Sequence, residues 1–193
     1  MMKKIWLFVF FCAAFSTPVY AQNTVMDNIL TRASVRSYQN KAVEDEKITQ
    51  ILKAAMAAPS ALNRQPWRFI VVKDAALKSE LAKNLPNAKM AEQAPVAIVV
   101  CGDMDKTAKG DAKEFWVQDV SAATQNLLLA AHSLELGAVW TGLYPTDRAQ
   151  TAAKILNLPE NLIAFALIPV GYPVHDVLPK DKWDETKISY DKF

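Results

Sequence analysis

Apolar side chains recur at helical or strand spacing along most of the chain. The clearest helix is residues 44–57, because its apolar residues fall three or four positions apart, acidic residues stand at its start and Pro59 ends it. Further helices are predicted at 25–33, 74–84 (with Asp74 as a cap), 114–136 and 147–156, and strands at 69–72, 96–101, 138–141 and 162–170. Helices mixed with a few strands, without a repeat or a linker, predict one α+β domain.

The predicted helix 114–136 is apolar around most of its circumference between Val120 and Leu134, and Gly137 is expected to close it. A helix that is apolar on nearly every side must be covered on nearly every side. We therefore expect this helix at the centre of the domain and against a second copy of the chain.

The tail 180–193 has no apolar period, yet it carries Trp183, Ile188, Tyr190 and Phe193. It has no face to bury against its own domain. The tail is either a disordered end or an arm that docks on a partner subunit, and its aromatic content favours the arm. Both the helix and the tail thus predict a homodimer.

The first 21 residues have the organisation of a secretory signal peptide. Lys3 and Lys4 precede an apolar run at 5–15, and Val19-Tyr20-Ala21 matches a cleavage pattern. An uncleaved anchor is the alternative, but this run falls short of the roughly 20 apolar residues that span a bilayer. We expect cleavage after Ala21, export to the periplasm and no stable membrane anchor. The domain would then be residues 22–193, ending in the arm.

Composition excludes several kinds of partner and site. Lys3 and Lys4 account for the whole net charge of +2, so the mature chain is neutral and gives no reason to expect nucleic acid or an anionic membrane as a partner. Cys101 lies in an apolar run, where we expect a small buried hydrophobe and not a reactive thiol. His132 and His175 have no cysteine or carboxylate partner at metal-ligand spacing, so no metal site is expected.

Basic residues near both ends of the chain are candidates for holding a phosphate. Arg32, Ser34 and Arg36 fall within five residues, and they suit a dianion because arginine offers a fixed fork of donors and serine a short one. Lys180 and Lys182 are the candidates from the other end. The sequence has no glycine-rich phosphate loop, so side chains would have to hold the phosphate. For either segment alone, a solvated basic loop is the alternative.

Two further segments could contact a planar heterocycle. The turn at 60–65 supplies hydroxyl and amide groups able to bond a ring edge, and Pro59, Pro66 and Trp67 stiffen it. Gly142, just after a predicted strand, lets the backbone approach a flat ring closely. With the phosphate grip, these features fit flavin mononucleotide (FMN), whose isoalloxazine carries hydride chemistry without a catalytic side chain.

Four motifs, in order along the chain, resemble those of the nitroreductase-like family of FMN-dependent oxidoreductases. They are R-A-S-V-R at 32–36, A-P-S-A-L-N-R-Q-P-W at 58–67, G-A-V-W-T-G at 137–142, and G-Y-P through P-K-D-K at 171–182. The resemblance covers nearly the whole mature chain. It departs from the family at Lys182, where arginine is usual; lysine keeps the charge but loses the fork.

The resemblance implies that Arg32 and Ser34 hold the FMN phosphate and that Arg36 lies near N1 and O2 of the ring. The cofactor contacts it implies are Arg32, Ala33, Ser34, Arg36, Pro59, Ser60, Asn63, Gln65, Trp140, Thr141, Gly142, Lys180 and Lys182. It also implies a mostly antiparallel sheet flanked by helices, in an intertwined homodimer with FMN between the subunits. No catalytic side chain is implied, because flavin N5 carries the chemistry.

The activity implied is ping-pong hydride transfer from NAD(P)H, through flavin N5, to a small acceptor such as a nitroaromatic or a quinone. Other members of the family carry out dehydrogenation or flavin destruction, which is a second enzymatic alternative. A third alternative is an exported flavin-binding redox partner with a non-nicotinamide donor. The signal peptide favours this last alternative, because nicotinamide cofactors are scarce outside the cytoplasm.

Overall fold

This computed structural model describes residues 25–193, which form six α-helices and five strands. The helices are α1 (Val25–Thr31), α2 (Asp45–Met56), α3 (Ala75–Asn84), α4 (Met90–Gln93), α5 (Trp116–Ser133) and α6 (Arg148–Ile155). The strands are β1 (Trp67–Val72), β2 (Val96–Asp103), β3 (Gly137–Ala138), β4 (Thr141–Gly142) and β5 (Leu162–Gly171). The predicted signal peptide, residues 1–21, lies outside the described residues.

The sheet has the strand order β1-β2-β5-β3, and β4 also pairs with β5. Every pair is antiparallel, with Ile70 opposite Val99 and Val99 opposite Leu167. All residues of β2 are buried, because the strand is central and covered on both faces, and it therefore reads as an unbroken apolar run. The predicted antiparallel sheet is confirmed.

Helices cover both faces of this sheet. On one face α2 and α5 pack around Ile51, Val120 and Leu127, and on the other α3 and α6 contribute Leu81 and Ala152. Complete burial of an isoleucine or leucine side chain stabilises a fold by about 1.5–3 kcal/mol. The predicted α+β sandwich is therefore confirmed, with α5 in the helical layer on one face of the sheet.

The ends of α5 differ from the prediction. Residues 110–115 form a 3₁₀ turn, so the α-helix begins at Trp116. It ends at Ser133, and the left-handed residue that follows is Glu135 (φ 63°), not Gly137. Gly137 instead begins β3 against Val35, where a Cβ would lie 2.6 Å from that side chain. Glycine at 137 is needed for close packing and not for ending the helix.

Two smaller elements also differ. The strand predicted at 138–141 is two short strands, β3 and β4, because Val139 and Trp140 leave the ladder between them. The four-residue α4 was not predicted, because one helical turn is too short to show a period. Cys101 is buried in β2 as expected, and this burial raises the pKa of its thiol to about 12.

Large apolar side chains stay exposed near both ends of the described chain. On α1, Val25 and Leu30 are 77% and 65% exposed, and in the tail Trp183 and Tyr190 are 74% and 85% exposed. Exposed apolar surface of this kind is typical of an interaction surface. Within residues 25–193, no helix combines the length and apolar character needed to cross a bilayer.

Candidate flavin site

The chain that leaves β5 runs beside the segment that follows α1. Gln39 N–H donates to the carbonyl of Tyr172 (2.8 Å), and Val174 N–H donates to the carbonyl of Ser37 (3.2 Å). Backbone bonds of this kind hold the two segments in register. They bring residues 177–182 against residues 32–36, although the two segments come from opposite ends of the domain.

The Tyr172 side chain strengthens this connection. Its hydroxyl donates to the Glu44 carboxylate (2.7 Å) and lies 3.1 Å from Lys47 Nζ, while Lys41 Nζ stands 3.5 Å from the centre of its ring. The hydrogen bond from Tyr172 lowers the pKa of Glu44. The start of the C-terminal segment is therefore anchored to the beginning of α2.

The segment 32–36 is held from its other side by β3. Val35 N–H donates to the carbonyl of Ala138 (3.1 Å), and Ser34 forms a parallel bridge with the same residue. The close contact with Gly137 lets Val35 approach the strand. Two elements thus fix the backbone between Arg32 and Arg36.

The buried hydroxyl of Tyr38 also holds the segment 32–36 in place. Tyr38 Oη donates to the carbonyl of Val35 (2.7 Å) and lies 3.1 Å from the carbonyl of Pro169. Burial raises the pKa of Tyr38 above its usual value, an effect that the nearby charge of Arg36 partly offsets. The hydroxyl therefore stays protonated and continues to donate.

A cavity of about 240 Å³ lies where the two segments meet. It is lined by basic, small and apolar residues: Arg32, Ala33, Ser34, Arg36, Val177, Leu178, Lys180 and Lys182. None of these lining residues is acidic. Four cations and one hydroxyl around one space form a donor set that suits a phosphate dianion. The structure brings all five phosphate candidates together; their contact with a cofactor stays a prediction.

A second cavity, of about 600 Å³, adjoins the first and shares four lining residues with it: Arg32, Ala33, Val177 and Leu178. His132, in the last turn of α5, lines this second cavity, and its Nε2 lies 2.9 Å from Thr31 Oγ1. Burial, and then the charge of Arg32, lower the pKa of His132. The imidazole is therefore neutral near pH 7, and its bond to Thr31 joins the end of α1 to α5.

The turn at residues 59–65 lies at the other end of α5. Three of its non-glycine residues have left-handed backbones: Leu62 (φ 53°), Asn63 (φ 53°) and Gln65 (φ 51°). Ser60 Oγ accepts the Gln65 N–H at 2.9 Å, and Gln65 Nε2 donates to Asn63 Oδ1 at 3.0 Å. Residues 62–65 are exposed, so the turn presents its amide groups outward from its own domain.

The α5 helix contributes one acid to this turn. Asp119 is buried, and its Oδ1 accepts the N–H of Ala61 at 2.8 Å. Together with Pro59 and Ser60, it lines a cavity of about 370 Å³. Asp119 is not among the predicted site residues, although a lone acid in a largely apolar helix is a signal that could have found it.

The segment around β4 offers an open backbone surface. The Trp140 ring packs edge-on against Phe165, with ring centroids 5.6 Å apart, and Thr141 is buried opposite Leu167. Gly142 is exposed, and nothing lies within 4 Å of the position that a Cβ would take. The space beside Gly142 therefore fits a flat ring resting on the backbone.

The predicted site residues consequently fall into separate groups. The cavity of about 240 Å³, called the phosphate cavity below, is lined by Arg32, Ala33, Ser34 and Arg36 with Lys180 and Lys182, and it shares no lining residue with the cavity beside the turn. Asp119, which contacts the turn, and His132, which contacts Thr31, are thirteen residues apart on α5, or about 20 Å along its axis. The two groups of predicted site residues therefore lie near opposite ends of one helix.

The chain is similar to known proteins over most of its length. The Nitroreductase family model matches residues 29–172. A protein of Methanothermobacter thermautotrophicus, whose name proposes an NADH dehydrogenase or NAD(P)H nitroreductase, is 44% identical over 170 residues, covering 88% of this chain and 87% of that protein. A crystal structure from Bacteroides thetaiotaomicron with the same proposed name is 48% identical, with a TM-score of 0.82, and the match covers 87% of this chain and 97% of that chain.

A third relative links this fold to a flavin. The crystal structure of a proposed nitroreductase from Desulfovibrio desulfuricans, in complex with FMN, is 34% identical, with a TM-score of 0.75. The match covers 89% of this chain and 98% of that chain. The family model spans most of the domain and these identities extend over nearly its whole length, so the chain belongs to the nitroreductase family.

Proposed function

We propose that this protein is an FMN-dependent oxidoreductase that takes hydride from NAD(P)H and passes it to a small acceptor, such as a nitroaromatic or a quinone, in a ping-pong cycle. The observation that carries the proposal is the basic cavity formed by both ends of the domain. Arg32, Ser34 and Arg36 line it together with Lys180 and Lys182.

The residues of this cavity fit the FMN phosphate. The guanidinium of Arg32 can form charge-assisted bonds to two phosphate oxygens, and the Ser34 hydroxyl can donate a third. Lys180 and Lys182 add point charges from the C-terminal side. The bound flavin supplies hydride chemistry, and the chain's part is to bind and orient it.

Arg36 is the residue proposed to act on the ring. The bond from the Tyr38 hydroxyl to the Val35 carbonyl and the bridge at Ser34 fix the backbone that directly precedes Arg36. A fixed positive charge at the N1 and O2 edge would stabilise the negative charge that hydride uptake places there. Trp140, Thr141 and Gly142 would support the ring through the open backbone beside Gly142.

We further propose that the working unit is a homodimer with its flavin sites between subunits. The phosphate cavity and the turn at 59–65 lie at opposite ends of α5, so a second copy can supply the turn to the first copy's cofactor. The exposed apolar residues of α1 and of the tail would be covered in such an assembly. Among the described residues, β1 is the end strand of the sheet. A groove of about 740 Å³ lies beside it and would receive the arm, residues 180–193, of the partner subunit.

We also propose that residues 1–21 direct export and that the mature domain works in the periplasm. Mass spectrometry of the protein made in a bacterial host, after separation of periplasm from cytoplasm, tests this. The expected periplasmic product begins at Gln22, and a cytoplasmic chain that retains Lys3 and Lys4 would contradict it.

Stopped-flow reduction of the flavin under anaerobic conditions tests the enzymatic activity. We expect the flavin absorbance to bleach rapidly with NADH or NADPH and to return when a quinone or nitroaromatic is added. Bleaching by dithionite or a quinol alone would instead support the exported redox partner with a non-nicotinamide donor. Properly folded, colourless protein that does not bind added FMN would contradict both.

A further inference from the structure

The turn at residues 59–65 holds a backbone shape that its own residues do not favour. Left-handed conformations at Leu62, Asn63 and Gln65 persist only where surrounding contacts maintain them. Asparagine tolerates this region better than most residues, whereas leucine and glutamine do not. Contacts that hold the turn therefore decide where its amide groups point.

Most polar contacts of the turn are internal to it. Ser60 Oγ accepts the N–H of Gln65 (2.9 Å), and the Ser60 carbonyl accepts the N–H of Asn63 (3.0 Å). The side chains of Gln65 and Asn63 bond each other at 3.0 Å. These bonds preserve the shape of the loop, but they do not fix its position relative to the rest of the domain.

The bond from Asp119 has a different character, because it joins the turn to α5. Its carboxyl oxygen Oδ1 accepts the N–H of Ala61, the first residue of the short 3₁₀ helix Ala61–Asn63, at 2.8 Å. Asp119 is 6% exposed, so the bond is largely shielded from water. The helix that carries Asp119, α5, is held in place because it packs against α2 and the sheet.

We propose that Asp119 is a positioning residue for the flavin ring: by holding the Ala61 peptide, it sets the place and angle at which Ser60 and Asn63 meet the ring edge. This inference rests on the proposed function, in which the turn contacts the flavin of the partner subunit. Asp119 acts through the backbone, so its effect should appear in the properties of the flavin and not only in stability.

The tests are Asp119→Ala, which removes the acceptor, and Asp119→Asn, whose side-chain oxygen can still accept the Ala61 N–H. We expect Asp119→Ala to raise the FMN dissociation constant about tenfold, the effect of losing one buried hydrogen bond. It should also make the flavin midpoint potential more negative, because displaced donors no longer stabilise charge on the reduced ring. Asp119→Asn should restore most of both properties.

Asn126→Ala is the matched control. Asn126 also lies on α5 and also bonds another element, donating from Nδ2 to the carbonyl of Ala54 at 3.1 Å, but it does not contact the turn. This variant should destabilise the fold comparably and leave the flavin potential unchanged. Asn63→Ala, within the turn itself, separately reports whether the turn reaches the flavin.

The outcomes distinguish this proposal from the one on which it rests. A shifted potential in Asp119→Ala and Asn63→Ala, but not in Asn126→Ala, would support positioning. If Asn63→Ala shifts the potential while Asp119→Ala matches the control, positioning by Asp119 is wrong and the role of the turn stands. If neither shifts it, the turn does not contact the flavin and both ideas fail. Should Asp119→Ala not fold, Asp119→Glu decides, because its longer carboxylate must displace the turn; an unshifted potential there would overturn the proposal.

Discussion

Replacing Arg32 with alanine should weaken FMN binding far more than it weakens folding. Arg32 is one of four cations around the phosphate cavity and lies just beyond the end of α1, partly exposed. A hydrogen bond to a charged group contributes about 1.5–3 kcal/mol. At tenfold per 1.4 kcal/mol, its loss raises the FMN dissociation constant about 10- to 150-fold. Arg36, Lys180 and Lys182 remain, so binding should be weakened and not abolished.

The assay is titration of the apoprotein with FMN, followed by flavin fluorescence, and a parallel titration with riboflavin, which lacks the phosphate. Arg32→Ala should weaken the binding of FMN and leave that of riboflavin nearly unchanged. Arg32→Lys should fall between, because it keeps the charge and loses the fork. The matched control is Lys83→Ala, which removes an exposed cation from the last turn of α3.

Urea unfolding of the apoprotein provides the comparison with stability. The expected change for Arg32→Ala is within about 0.5 kcal/mol, as for most surface substitutions. Equal weakening of FMN and riboflavin would show that the variant damages the whole site. An FMN dissociation constant equal to that of Lys83→Ala would remove Arg32 from the phosphate contact.

Four further outcomes are expected. Lys182→Arg should tighten FMN binding about two- to tenfold by supplying the fork, measured in the same titration, and weaker binding would count against Lys182 facing the phosphate. Removal of residues 183–193 should shift the particle from dimer toward monomer in light scattering, whereas a full-length monomer that holds FMN would argue against a shared site. Burial and Arg32 lower the pKa of His132 below 6.5, so the unfolded state binds its proton more readily. The free energy of unfolding should thus fall as the pH drops below about 6.5, and His132→Gln should lose that part of the pH dependence in urea titrations. Cys101, with its thiol pKa raised to about 12, should react with a thiol reagent near pH 8 only after denaturation, and rapid labelling of the native protein would contradict its burial.

Elements with a strong local signal were predicted well. The helix at 44–57 is α2 (Asp45–Met56), and Asp74 caps α3 by accepting the N–H of Leu77 at 2.8 Å. The central strand β2 was recognised because burial on both faces demands an apolar residue at every position. In each case the pattern follows from burial or capping within one short segment.

Features that depend on distant contacts were harder to predict. The prediction that Gly137 ends α5 was wrong, because the sequence alone does not show that Val35 packs against that position. The bond between Asp119 and Ala61 joins residues 58 positions apart, and no local period records it. We expected residues 32–36 to meet residues 177–182 only because each segment carries basic side chains that suit a phosphate. The backbone hydrogen bonds that bring the two segments together cannot be recognised from the sequence.

The pairing of the segment after α1 with the chain leaving β5 has a consequence for the order of refolding. Arg32 and Lys180 come from opposite ends of the described residues, and the cavity that they line does not exist until the sheet has brought those ends together. Contacts between residues that are far apart along the chain form late, because closing a long loop costs more entropy than closing a short one. A chain refolding from urea should therefore regain its helical signal before it regains bound flavin.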